Sequence, residues 1–109
     1  MKKPLFSVLI PVFKIEKYIE ECVLSITNQS FSDFEIILID DGSPDGCPEI
    51  CERLRKNDSR IKVLHKKNEG VAKARRDGAE IAEGEYVICI DGDDWLKKDC
   101  LTQISEVVQ

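Results

Sequence analysis

The chain is predicted to fold as an α/β domain with a mostly parallel sheet of about four strands and helices on both faces. Three observations predict it. Short apolar, β-branched runs alternate with stretches whose apolar residues recur at helical spacing, giving the order βαβαβαβα. One run, Phe34-Glu35-Ile36-Ile37-Leu38-Ile39, is apolar at almost every position, as a strand buried on both faces must be. The length of 109 residues allows one domain, and 42% hydrophobic with 34% charged residues is ordinary for a globular protein.

Each element has its own signal. Leu5 to Val12 is apolar and β-branched, and Pro11 is expected to end that strand. Ile15, Ile19, Cys22, Val23 and Ile26 then fall on one helical face. Asn28 to Asp33 is a polar turn, and the Phe34–Ile39 strand runs into Asp40-Asp41-Gly42-Ser43. A second helix carries Pro48 in its first turn and Cys47, Ile50, Cys51 and Leu54 at helical spacing. Ile61 to Leu64 is a short third strand, and Asn68-Glu69-Gly70 is a turn. From Val71 to Ala82, the small residues Ala74 and Gly78 would let a third helix approach the sheet closely, with Gly84 as its C-terminal stop. Tyr86 to Ile90 is the fourth strand and ends in Asp91-Gly92-Asp93-Asp94. Leu101, Ile104, Val107 and Val108 mark a last helix.

A formal net charge of -5 argues against a nucleic-acid binder or a polybasic membrane-surface protein, both of which need basic surface. No apolar run approaches the ~20 residues of a membrane span, and Met1-Lys2-Lys3-Pro4 leads into a strand without the apolar core of a signal peptide. Cysteines 22, 47, 51, 89 and 100 are odd in number and are expected to be reduced thiols in a cytoplasmic protein. Cys47 and Cys51 could share a helix face, but the single histidine leaves zinc short of ligands, and two small buried side chains is the better reading.

In open α/β sheets ligands bind outside the carboxyl ends of the strands. Pro11-Val12-Phe13, Asp40-Asp41 and Asp91, Asp93 and Asp94 all arrive there. Five carboxylates at one edge repel each other, and a divalent cation such as Mg²⁺ or Mn²⁺ would compensate them and could neutralise a diphosphate. Asp45 is expected only to cap or turn, and Asp94 suits a cap and a site equally. The first strand is followed by no glycine-rich phosphate loop. Ser43 has no histidine partner in a recognisable motif, His65 is expected at the surface or sheet edge, and Lys66-Lys67 reads as solvated edge charge. Trp95 could line a pocket or anchor the core.

The motifs resemble those of the inverting family 2 glycosyltransferases of the GT-A fold, in their N-terminal, nucleotide-binding half. The matching stretches are Ser7 to Phe13, Glu16 to Ile19, Ser25 to Gln29, Ile39 to Ser43, Asn68-Glu69-Gly70 with Ala74-Arg75, and Gly84-Glu85-Tyr86 leading to Asp91 through Trp95. They span essentially the whole chain in family order. The resemblance implies a Rossmann-like GT-A half-domain over residues 1–109. It implies that Phe13 lies against the base of a nucleoside diphosphate, with backbone contacts from Pro11 and Val12. It implies that Asp41 recognises the base, Arg75 lies near the nucleotide, Asp91 approaches the ribose or sugar, and Asp93 ligates Mn²⁺ or Mg²⁺. Lys14 and Arg76 stand where the family usually has Asn.

Family members run to roughly twice this length, the size of an ordinary α/β catalytic domain. The resemblance therefore implies a truncated chain that holds the donor site, with the general base expected beyond Gln109 and no catalytic residue of its own. The implied reaction is metal-dependent transfer of a sugar, with inversion, from a nucleotide-diphosphate donor (a UDP-sugar) to a hydroxyl of a saccharide or lipid-linked acceptor, in cell-surface polysaccharide or glycan synthesis. The implied location is the cytoplasm, at most peripheral to the inner membrane face, and surface exposed by truncation would favour a dimer. Two other readings stand beside it: a non-catalytic nucleotide-binding module, and a Mg²⁺-dependent phosphoaspartyl receiver or phosphatase. A receiver would place its acid pair after the first strand, where this chain has Pro11-Val12-Phe13.

Overall fold

The computed structural model describes residues 3–109; Met1 and Lys2, at the start of the segment expected to lack a leader, lie outside them. Eight elements alternate as expected: β1 (Phe6–Val12), α1 (Ile19–Thr27), β2 (Phe34–Asp41), α2 (Cys47–Asn57), β3 (Ile61–Lys66), α3 (Val71–Ile81), β4 (Tyr86–Cys89) and α4 (Cys100–Val108). The four strands form one parallel sheet in the order β3-β2-β1-β4. The order reverses at β1, which makes its carboxyl end the switch point where α/β sheets open a crevice.

Strand alternation divides the core between two faces. Phe6, Val8, Ile10 and Val12 of β1, with Ile36 and Leu38 of β2, pack against Ile19, Val23 and Ile26 of α1, Cys51 and Leu54 of α2 and Leu101 of α4. Leu9, Ile37 and Ile39 point the other way, onto Ala74 of α3. The close approach expected of the small residues is real: a Cβ on Gly78 would lie 2.7 Å from Ile39 Cδ1. Every residue of β2 is buried, whereas β4, one of the two outer strands, leaves Tyr86 and Val87 exposed. No helix of the described residues is long and apolar enough to cross a membrane.

Four local expectations are corrected. Pro11 does not end β1, which runs to Val12. The carbonyls of Leu5 and Leu9 accept the N–H groups of Tyr86 and Ile90, so alternate residues of β1 turn their backbone toward β4. Pro11 continues that series beyond the end of β4, where no N–H is needed. The first helix begins at Ile19 rather than Ile15, because Ile15 to Tyr18 form a turn. Gly84 does not stop α3 with a left-handed residue; the helix ends with Ala82 already extended. The glycine is required by contact instead, since a Cβ there would lie 2.6 Å from the backbone nitrogen of Ser7. The Gly84 N–H donates to Ser7 Oγ at 2.7 Å, and Ser7 Oγ donates to the buried Glu35 carboxylate at 2.6 Å. Finally, β2 and β3 each run two residues further than expected, to Asp41 and Lys66.

All five cysteines are free thiols. Burial pushes Cys47 up to about 11 and Cys51 up to about 12, so both stay protonated and pack as small apolar groups.

Candidate functional site

The longer β2 changes the meaning of the first acidic pair. Successive residues of a strand point to opposite faces, so Asp40 and Asp41 cannot serve one site together. Both are buried, 4% and 3% exposed. Asp40 turns toward α2. Its Oδ2 lies 2.7 Å from His65 Nδ1, and its Oδ1 accepts the Ser43 N–H at 3.0 Å. The other ring nitrogen of His65 lies 2.7 Å from Glu52 Oε2 on α2. Asp41 turns toward α3. It accepts the N–H of Glu69 at 3.0 Å and of Gly70 at 3.1 Å, and Lys66 Nζ lies 3.3 Å away.

The register explains these pairs, because Asp40 lies beside His65 and Asp41 beside Lys66 in the β2–β3 ladder. Each buried acid thus has a cross-strand base on its own face. His65 lies exposed on the edge strand β3, as expected, and there it bridges two carboxylates; hydrogen bonds to Asp40 and Glu52 hold its pKa above the ordinary histidine value. One expectation is corrected here. Lys66 is not solvated: its side chain is 9% exposed and also reaches Glu69 and Asp77. The first pair is therefore compensated within the protein, without a cation.

The second acidic cluster is the opposite case. Asp91, Asp93 and Asp94 are exposed, and one carboxylate oxygen from each lies within 4.8 Å of the others. Oxygens on opposite sides of a Mg²⁺ ion are about 4.2 Å apart, so small side-chain rotations would close the three acids on one ion. Their only cation is Arg75, whose Nη2 lies 3.1 Å from Asp91 Oδ1 among the described residues. The Arg75 Nε is enclosed yet has no hydrogen-bond partner, a donor left free beside the acids.

The loop that carries this cluster is held from below. Gly92 sits against Ile15, where a Cβ would lie only 2.1 Å from Ile15 Cδ1. Asp94 N–H closes a turn onto Asp91 O at 3.0 Å. Ser25 Oγ on α1 accepts the Leu96 N–H at 2.9 Å, while Gln29, just past the end of α1, donates to Lys97 O at 2.8 Å and accepts from Leu101 N–H at 3.1 Å. Ser25 and Gln29 belonged to a motif without a role in the sequence; their role is to fix the return of the chain after the acids. Trp95 is 56% exposed and does not anchor the core.

Between the two strand ends lies a cleft of about 520 Å³. Pro11, Val12 and Phe13 form one wall, Asp41, Asn68 and Gly70 another, and Asp91 and Asp93 a third. Of the residues that the sequence nominated, Arg75 lies outside the lining, at the rim beside Asp91, as does Asp94, while Asp40 turns away toward α2. The corner at Phe13 is shaped by Lys14, which adopts a left-handed φ of 56°. Asn tolerates that conformation better than Lys, which accounts for the Asn usual at this position in the resembling family. The Lys14 N–H donates to Ser43 Oγ at 2.8 Å, tying the end of β1 to the turn after β2. Asp45 has the local role expected of it. Burial would raise its pKa, but hydrogen bonds from Ser43 Oγ and the N–H groups of Cys47 and Glu16 hold it at about 2.

Known proteins resemble this chain in sequence and fold. Glycosyltransferase EpsJ of Bacillus subtilis, described as uncharacterised, is 42% identical over 103 residues, covering 94% of this chain and 30% of its own. Glycosyltransferase GlyG of Streptococcus pneumoniae is 41% identical over 106 residues, covering 96% of this chain and 35% of its own. The crystal structure of S. aureus TarS residues 1–349 in complex with UDP-GlcNAc superposes with a TM-score of 0.88 at 34% identity, covering 98% of this chain and 31% of that one. The chain thus spans about a third of the length of these two relatives. The glycosyl transferase family 2 model matches residues 7–109, nearly the whole chain, and the protein belongs to that family.

Proposed function

We propose that this chain is the donor-binding part of a glycosyltransferase, which holds a nucleoside-diphosphate sugar, a UDP-sugar, together with a Mn²⁺ or Mg²⁺ ion for inverting transfer in cell-surface polysaccharide synthesis. The single observation that carries the reading is the cleft at the switch point. There an apolar wall ending in an aromatic ring faces an acidic cluster of three carboxylates that Arg75 offsets only in part. A base and a diphosphate need those two surfaces at opposite ends of one site. The family supports the reading, and so does the superposition on a relative solved with UDP-GlcNAc.

In this reading Phe13 lies against the base, and the Pro11 and Val12 backbone flanks it. Asp41 accepts the ring N–H of a uracil. Both of its oxygens already accept hydrogen bonds, so it is preorganised as an acceptor that cannot turn away. Asp93, with Asp91 and Asp94 beside it, would hold the cation, which supplies charge neutralisation to the leaving diphosphate. Asp91 also faces the ribose or sugar. Arg75 offers its guanidinium charge at the same end. No residue of this chain is assigned as general base. The acceptor, a saccharide or lipid-linked hydroxyl, and that base belong to the longer enzyme.

Calorimetric titration with UDP in Mg²⁺ tests the reading. Metal-dependent binding is expected, weakened at least tenfold, about 1.4 kcal/mol, in Asp93→Asn. Equal binding by the variant and the wild type would overturn it.

A further inference from the structure

His65 is the one histidine of the chain, and no role in the donor site has been given to it. It lies outside the cleft, on the α2 face of the sheet, yet it is joined to the cleft by an unbroken series of hydrogen bonds. His65 Nδ1 meets Asp40 Oδ2 at 2.7 Å, Asp40 Oδ1 accepts the Ser43 N–H at 3.0 Å, and Ser43 Oγ accepts the Lys14 N–H at 2.8 Å. The last of these pins the left-handed corner that presents Phe13 to the cleft. We propose that His65 is a positioning residue for the nucleotide: by donating from Nδ1 to Asp40 it locks the turn after β2, and through Ser43 it sets the Phe13–Lys14 corner.

The inference rests on the nucleotide reading of the cleft. Its physical basis is the burial of Asp40. A buried carboxylate without its donor must reorient or draw in water. Its Oδ1 bond to Ser43 is then no longer fixed in direction. The second ring nitrogen has a different task. Nε2 meets Glu52 on α2, which Arg55 also holds at 2.6 Å. That contact ties a helix to the sheet and does not lead to the cleft. One ring therefore has a site-facing nitrogen and a scaffold-facing nitrogen, and substitutions can separate them.

In His65→Asn the side-chain amide stands near the place of Nδ1 and keeps the donor to Asp40 while losing Glu52. In His65→Gln the amide stands near Nε2 and keeps Glu52 while losing the donor to Asp40. Calorimetry with UDP and Mg²⁺ on the wild type and both variants reads the difference. Thermal melts confirm that each is folded. The expected result is affinity within about twofold of wild type for Asn and about fivefold weaker for Gln, in the range of couplings carried through packed networks. A merely structural role would lower both alike or favour Gln, since Gln keeps the tie to α2; either result overturns the proposal, as does wild-type affinity in Gln. Should His65→Gln not fold, Ser43→Ala interrupts the same series nearer the cleft and must weaken UDP by a similar factor, with wild-type affinity again overturning it. Failure of the wild type to bind UDP at all would instead remove the nucleotide reading.

Discussion

The two acidic strand ends look alike in the sequence and are opposites in the structure. At the end of β2, Asp40 and Asp41 are buried, point to opposite faces and are each matched by a base on the neighbouring strand. After β4, Asp91, Asp93 and Asp94 are exposed, share one small volume and, among the described residues, have only the rim residue Arg75 as a counterion. The first arrangement is complete as folded. The second gathers like charges that gain by taking up a cation. The difference teaches that acidic residues at a sheet edge are not equivalent ligands: strand alternation and register decide which are structural parts and which remain free for chemistry.

The largest effect should come from breaking the complete arrangement. Asp41→Ala removes the acceptor of two backbone N–H groups and the partner of Lys66. It should cost about 2–4 kcal/mol in urea-induced unfolding. Asp93→Asn should cost nothing measurable in the same assay, because Asp93 is exposed among like charges. A comparable loss in both would erase the distinction between the two clusters.

A smaller effect sharpens the Asp40 side. His65 has a folded pKa raised first by its hydrogen bond to Asp40 and then by that to Glu52. Its contribution to stability is therefore fully present below the unfolded value of about 6.5, and it is lost as pH rises through the higher folded value. The pair is partly exposed, so the effect is modest. The wild-type melting temperature should fall by about 2 °C from pH 6 to above the folded pKa, relative to His65→Asn, which cannot titrate. Parallel pH profiles for the two proteins would show that the bridge contributes nothing to stability.

The smallest effect concerns the corner between the clusters. Lys14→Asn places a residue suited to the left-handed region where a lysine now adopts it, and should stabilise the fold by about 0.5 kcal/mol. The Lys14 ammonium also lies 5.3 Å from the Phe13 ring, so its loss offsets part of the gain.

Much of this was legible before the structure. Apolar periodicity predicts all eight elements in order, and three of the five strand-end acids, Asp41, Asp91 and Asp93, line one cleft with Phe13. The division of labour among the acids was not legible, for a specific reason. Ending β2 at Ile39 made Asp40 and Asp41 a loop pair, to which alternation does not apply. Carrying the strand through Asp41 would have separated them by face from sequence alone. Their partners are another matter, since the match of Asp40 with His65 and Asp41 with Lys66 depends on a register that no local pattern encodes. Gly84 is illegible locally for the same kind of reason. Its constraint is a close approach to Ser7, 77 positions earlier, and not a cap on the helix beside it.

The central claim is that only the exposed cluster takes a cation. Titration of Mn²⁺, with the free ion followed by electron paramagnetic resonance, tests it in the wild type, Asp93→Asn and Asp40→Asn, at a temperature where all three are folded. One Mn²⁺ should bind to the wild type and to Asp40→Asn with similar affinity, and at least tenfold more weakly to Asp93→Asn. Loss of the ion in Asp40→Asn with retention in Asp93→Asn would contradict the account.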